Sequence, residues 1–359
     1  MAWVVHKFGG ASVRDAAGVI NLGEILSVRR NGQDQGLDQA VVVSAMGKTT
    51  NALEEVWRGL ADVVDVHALI EPVIGSHVQV AQELNLPEEI LAPDLDSFRT
   101  VAKSWVGKPQ TDGSYDALVG FGERWSTRIV AAHLRAQGTP SDWVSAWTLI
   151  RTNACHRAAA VNLEGTQQAI SEAAKSWAGT IPVTQGFVGS SADGWPTTLG
   201  REGSDFSGAL LAESLGAEKF CVWKDVPGVM TGDPRTWPAA DFIPRLDHTT
   251  AEIMSEAGAG VLHPATMAPL RRGKIPLLVK SFKDPSAKGT RIDGDVPPSD
   301  LPPLWTMSQV SGQQWHVRCI GATEALARHM WLEQFPKSRV DHAERDAKLP
   351  GCILLHVTH

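Results

Sequence analysis

Short apolar runs separated by stretches of helical periodicity constrain this chain more than any other feature. Val4 and Val5, Ala40–Ala45, Ile181–Gln185, Lys219–Trp223 and Ile275–Val279 read as strands bounded by polar, glycine or proline residues. Between them Ala16, Val19, Ile20 and Gly23 share a helix face, as do Trp125, Ile129, Ala132 and Ala136 within Glu123–Gln137. Such alternation predicts an α/β fold with a mainly parallel sheet covered by helices on both sides. Ligands of these sheets bind beyond the carboxyl ends of the strands. The segments that follow strands are therefore where chemistry is expected.

The first such segment is Lys7-Phe-Gly9-Gly10-Ala11-Ser12. Glycines between strand and helix let backbone N–H groups approach an oxyanion, and a helix N-terminus favours negative charge. Lys7 adds a compact positive charge. A tight strand–helix turn would use the same two glycines. The second, Ser44-Ala-Met-Gly47-Lys48-Thr49-Thr50-Asn51, imitates the end of a P-loop, but Val42 stands where the first glycine is required, which excludes that motif. Its hydroxyl and amide groups suit a polar ligand or a capped loop. The third, Thr197–Asp205, combines Arg201, Glu202 and Asp205 before a helix with Phe206, Leu210, Leu211 and Leu215 on its apolar positions. Arginine matches a carboxylate bidentately and an acid holds an ammonium, the two needs of a free amino acid. A charged turn with Ser204 or Asp205 as N-cap is the plainer alternative. The fourth, Trp223–Arg235, follows a strand and by itself reads as any polar loop.

A net charge of −7 without a Lys/Arg-dense block argues against a nucleic-acid groove. No apolar run approaches the roughly 20 residues that span a bilayer, so no membrane partner is expected, and no signal-peptide core is visible. Cys155, Cys221, Cys319 and Cys352 form no C-x-x-C pair and read as thiols, which places the chain in the cytoplasm. Thirteen tryptophans follow no fixed spacing. Prolines at 285, 297, 298, 302 and 303 mark residues 284–304 as a linker. Beyond it, Gln314–Ile320 reads as strand, Ala322–Phe335 as helix and Cys352–Val357 as strand.

Together these segments resemble the aspartate kinases of the amino acid kinase family. The likeness runs in order through Lys7-Phe-Gly-Gly-Ala-Ser, Val43-Ser-Ala-Met-Gly, Gly122-Glu-Arg-Trp-Ser126, Arg151-Thr-Asn153 and Thr184-Gln-Gly-Phe-Val-Gly189. It continues through Thr198-Leu-Gly-Arg-Glu-Gly-Ser-Asp205, Asp225-Val-Pro-Gly228, Asp233-Pro-Arg235 and Val261-Leu-His-Pro-Ala-Thr266. The resemblance implies an open αβα sandwich over residues 1–283 and transfer of the ATP γ-phosphoryl group to the side-chain carboxylate of L-aspartate. It implies Lys7 and Asp205 as catalytic residues, Lys7 neutralising the transferring group with help from Gly9 and Gly10 N–H groups and Mg²⁺. Arg201 would grip the α-carboxylate, Glu123 and Asp205 would face the ammonium, and Ser44, Thr50 and Ser204 would complete the amino-acid side. Gly9, Gly10, Ala11, Lys224, Asp225, Met230 and Arg235 would form the nucleotide side. No protein side chain is assigned to a metal, and a homodimer is the implied assembly. Two other readings are a kinase of this fold acting on another acid, and a regulatory subunit that binds ATP without turnover.

The chain departs from the family pattern in places. Lys224 replaces a threonine, Met230 an aromatic residue, Glu202 a glycine and Gly260 a lysine. Lys224 is expected to restore the charge missing at Gly260. Aspartate kinases usually carry two ACT modules of βαββαβ pattern. Residues 305–359 read as β-α-β, a truncated ACT-like or vestigial segment, so weak or absent feedback inhibition is expected.

Overall fold

Strand β1 (Trp3–Phe8) is buried along its whole length and is the organising strand of the first half of the molecule. The computed structural model describes every residue except Met1, Arg201, Glu202, Val261, 295–300, Pro350 and His359. It divides into two compact units, Met1–Asp225 and Val226–His359.

In the first unit β1 is followed by a 3-10 turn (Gly10–Val13), α1 (Ala16–Arg30), β2 (Asp38–Val43), α2 (Thr49–Gly59) and α3 (Val66–Glu83). Then come α4 (Ala92–Trp105), α5 (Asp112–Val119), α6 (Phe121–Ala136), β3 (Ser141–Val144), α7 (Ala146–Leu149) and β4 (Arg151–Thr152). The unit closes with α8 (Leu163–Ala174), β5 (Ile181–Gln185), β6 (Val188–Ser191), β7 (Pro196–Thr198), α9 (Gly203–Leu215) and β8 (Lys219–Lys224). Its central sheet runs β3-β5-β2-β1-β8, every pair parallel, as the βα alternation predicts. A small sheet, β4-β6-β7, stands beside it.

Period-two alternation along β1 divides its side chains between two helical layers. His6 turns to the α1 side, where its Nε2 lies 3.2 Å from Oδ2 of the fully buried Asp34, which accepts from the Arg29 guanidinium. Lys7 turns to the α9 side. Helix α6 packs on β2, β3 and β5, while α9 packs on β1, β2 and β8. The sandwich expected over this part of the chain is the one observed. Several tryptophans are core residues here: Trp125 meets Phe98 edge-on at 4.9 Å, and Trp223 stacks on Phe8 at 5.8 Å.

The second unit holds β9 (Arg245–Leu246), α10 (His248–Glu256), α11 (Met267–Gly273), β10 (Leu277–Ser281) and β11 (Thr290–Ile292). Then follow β12 (Leu304–Ser311), β13 (Gln314–Ile320), α12 (Glu324–Gln334), β14 (Arg339–Arg345) and β15 (Cys352–Thr358). Strand β11 falls inside the stretch read as a linker and pairs antiparallel with β10. The last four strands form an antiparallel sheet in the order β12-β13-β15-β14. The expected β-α-β is therefore ββαββ. Strand β14 escaped notice because Ala343 is its only buried residue, so it shows no apolar alternation. One core joins Trp305, Val317, Cys319, Trp331 and Leu355 with Trp237, a residue far earlier in the chain.

Candidate active site

Strands β1, β2 and β8 are parallel neighbours, so their carboxyl ends deliver Phe8, Val43 and Trp223 to one edge of the sheet. Beyond that edge two loops meet. Gly47 N–H donates to Gly10 O at 2.9 Å, and Ser44 N–H donates to Phe8 O at 3.1 Å. A Cβ on Gly10 would stand 2.5 Å from Ala45 O and 3.0 Å from Gly47 O, so this glycine is demanded by the close approach of the loops. Gly9 has an ordinary extended backbone, and a Cβ there would meet Lys7 Nζ at a comfortable 3.6 Å. The two glycines thus answer different needs.

Lys7 is buried, and its Nζ lies 2.6 Å from Asp205 Oδ1. Lys224 Nζ, at the end of β8, lies 3.1 Å from the other oxygen, Oδ2. Asp205 sits in the first turn of α9, where the helix dipole favours its charge. Burial alone would raise its pKa, but the two ammonium groups outweigh burial and hold it down at about 2. Two cations on one carboxylate leave a net positive charge at the strand ends, the setting that receives an anion.

Glu123 approaches the same place from the first turn of α6. Gly122 allows this: a Cβ there would come within 2.9 Å of the Ala45 methyl. Glu123 Oε1 accepts the Ala45 N–H at 3.2 Å, while Oε2 is buried without a hydrogen-bond partner. Burial pushes its carboxyl up to about 8, against the pull of the backbone N–H groups and Lys7. At neutral pH it is largely a neutral acid, ready to ionise when a cation arrives beside Oε2. Ser126 Oγ donates to Ser44 O at 2.8 Å and fixes that loop. Thr50 lies in the first turn of α2, and Ser204 is packed so tightly that a Cβ on Gly186 would stand 2.4 Å from its own Cβ.

The structure therefore brings Lys7, Ser44, Glu123, Asp205 and Lys224 to one end of the sheet, with Gly9 and Gly10 in the adjoining turn. Ala11 and Asp225 are exposed. Arg201 lies outside the described residues. Met230 and Arg235 belong to the second unit, where Met230 bridges to Phe242 and Arg235 pairs with Asp233 at 2.7 Å. Sequence reasoning passed over Asp116, a carboxylate buried in α5 between Tyr115 and Leu118. An acid among the apolar positions of a helix was the available signal.

The amino acid kinase family model matches residues 2–281. Aspartokinase 3, chloroplastic, of Arabidopsis thaliana is 35% identical over 301 residues, which cover 80% of this chain and 52% of that protein. Lysine-sensitive aspartokinase 3 of Escherichia coli (strain K12) is 33% identical over 307 residues, covering 84% of this chain and 66% of that protein. The chain spans about half the length of the plant aspartokinases, and only 32% of a bifunctional aspartokinase/homoserine dehydrogenase of Zea mays. Among solved structures, E. coli aspartokinase III in complex with aspartate and ADP (R-state) superimposes with a TM-score of 0.76 at 27% identity, covering 99% of this chain and 78% of that one. The lysine and aspartate complex of the same enzyme (T-state) gives a TM-score of 0.74 at 28% identity. Among the described residues no helix is long and apolar enough to cross a membrane.

Proposed function

Because the chain belongs to the amino acid kinase family, we propose that it is an aspartate kinase, transferring the γ-phosphoryl group of MgATP to the β-carboxylate of L-aspartate. The observation that carries this reading is the Lys7–Asp205–Lys224 cluster, buried at Lys7 and Asp205 and half-buried at Lys224, beside the uncharged, half-satisfied Glu123. The solved relative with aspartate and ADP bound supports the same pair of ligands.

The chemistry asks little of a base. The acceptor carboxylate is already ionised at pH 7 and attacks the γ-phosphorus directly. The bond to the β,γ-bridging oxygen breaks, and ADP leaves with the electron pair. What the protein must supply is relief of anion–anion repulsion, in-line placement and charge neutralisation. Lys7 meets the transferring phosphoryl group, while Asp205 holds Lys7 and Lys224 in fixed positions. Arg201 would receive the α-carboxylate, and Glu123 would ionise against the ammonium, with Ser44, Thr50 and Ser204 around the amino acid. Gly9, Gly10, Ala11, Lys224, Asp225, Met230 and Arg235 would serve the nucleotide, and Mg²⁺ arrives as part of MgATP.

We assign residues 1–283, together with β11 that pairs with β10, to catalysis and 305–359 to an ACT-like segment. The cysteines stand as thiols, which suits the cytoplasm, and a homodimer is the assembly we propose. The deciding experiment measures ADP release with MgATP and L-aspartate and traps the acyl phosphate as its hydroxamate. Aspartate-dependent hydroxamate that falls roughly 10²–10³-fold in Lys7→Ala is the expected result. Turnover only with L-glutamate or N-acetyl-L-glutamate, or ATP binding without turnover, would replace this reading.

A further inference from the structure

Asp116 takes no part in the chemistry above, yet its side chain has no exposed surface and is fully engaged. Thr198 Oγ1, at the end of β7, donates to Oδ1 at 2.7 Å. The backbone N–H of Arg157 donates to Oδ2 at 3.0 Å, and His156 Nδ1 lies 2.9 Å from the same oxygen. A carboxylate only accepts, so the imidazole carries its proton on that side.

Arg157 has a φ of 65°, a left-handed backbone that a residue with a Cβ rarely adopts. The bond that holds it there is the one to Asp116. Its guanidinium lies over the Tyr115 ring at 4.2 Å and 3.5 Å from Asp112 Oδ1, so α5 grips this residue three times. Residues 153–160 then run against β7. Ala159 N–H donates to Thr198 O at 2.9 Å. A Cβ on Gly200 would stand 3.6 Å from Arg157 O, and Gly200 itself has a φ of 84°. In the chain Thr198 and Gly200 lead directly into Arg201 and Asp205.

We infer that Asp116 is a positioning residue for the amino-acid side of the site. Through His156, the strained Arg157 and Thr198 it ties the 153–160 loop to the end of β7, and so sets where the segment from Gly200 to Asp205 begins. The inference rests on the aspartate kinase reading of Arg201 and Asp205. It weighs on the amino acid first, because the clamp acts at Gly200, the end of the segment next to Arg201, whereas Asp205 and its partner Lys224 are anchored separately in α9 and β8.

The test compares wild type with Asp116→Asn, which keeps shape but sets an NH₂ against one of the donors. The KM for aspartate should rise about tenfold, with the KM for MgATP changed by less than about twofold. Adding Arg157→Gly to Asp116→Asn should recover at least about threefold of that loss, since glycine takes the left-handed backbone without the carboxylate. Amide hydrogen exchange should quicken at 157–160 and 196–200 in Asp116→Asn. An unchanged aspartate KM overturns the inference. So does an equal loss for both substrates with a lowered Tm and no rescue by glycine, which marks a merely structural residue. If wild type shows no aspartate-dependent turnover, the kinase reading fails by itself. Exchange then decides the clamp: quickening confined to those segments supports it, and unchanged protection sinks it.

Discussion

Glu123 and Lys224 are the two side chains whose chemistry depends most on neighbours brought from elsewhere in the chain. The unfolded chain releases the Glu123 proton near 4.5 and the folded chain near 8. Between those values the folded state keeps a proton that the unfolded state has lost, so stability declines as pH rises through the window. Glu123→Gln is neutral throughout and should gain on wild type over that range, by about 1–3 kcal/mol at its upper end. Urea midpoints near the two ends of the window check this, and a difference independent of pH is the contrary result. An ammonium placed beside Oε2 should pull the proton off. Aspartate binding near neutral pH should then release about one proton, visible as a calorimetric enthalpy that varies with the buffer. Lys224 presents a different case. It shares Asp205 with Lys7, and as the replacement for the charge missing at Gly260 it should face the nucleotide phosphates. Lys224→Ala should raise the KM for MgATP or cut kcat by at least about tenfold, and near-normal kinetics would remove it from the site.

At the scale of elements, the site depends on two loops pressed together at the ends of β1 and β2. Gly10→Ala would force a methyl to 2.5 Å from Ala45 O and displace the loop that carries Ser44 and the Ala45 N–H used by Glu123. Gly9→Ala meets only a 3.6 Å contact with the flexible end of Lys7. Gly10→Ala should therefore cost about 1–3 kcal/mol and most of the activity, while Gly9→Ala keeps the fold. Thermal melts of both variants, run beside aspartate-dependent ADP release, separate the cases; equal damage from both would mean the glycines serve one purpose. The strands of the parallel sheet were legible because both faces are covered, which turns each one into an apolar run. The motif residues were legible because they follow those runs. Strand β14 and the partnership of Asp116 with Thr198 were not, for opposite reasons. The strand lies at a sheet edge with little to bury, and the contact joins residues 82 positions apart. Thr290–Ile292 was hidden by the prolines and polar residues around it, although the residues at both its ends are buried.

At the scale of the molecule, the tryptophans that had no reading in the sequence show how the second unit holds together. Trp237 stacks on Trp305 at 4.4 Å and on Trp331 at 6.0 Å, inside the core of the four-stranded sheet. Trp305 N–H donates to Thr231 O at 2.6 Å, so the start of β12 is also bonded to the segment 226–244. That segment carries Met230 and Arg235, assigned above to the nucleotide. Its conformation is thus coupled to the C-terminal sheet, and loosening one should loosen the other. Trp237→Ala opens a large cavity and should cost about 3–5 kcal/mol, enough to unfold the second unit of a marginally stable chain. Trp237→Phe removes less volume and suits the kinetic test. It should raise the KM for MgATP several-fold and leave the KM for aspartate alone, because the amino-acid residues lie in the first unit. Tryptophan fluorescence should report the altered stack in the same sample. A changed stack with an unchanged MgATP KM would show that the C-terminal sheet and the nucleotide segment are neighbours without being coupled.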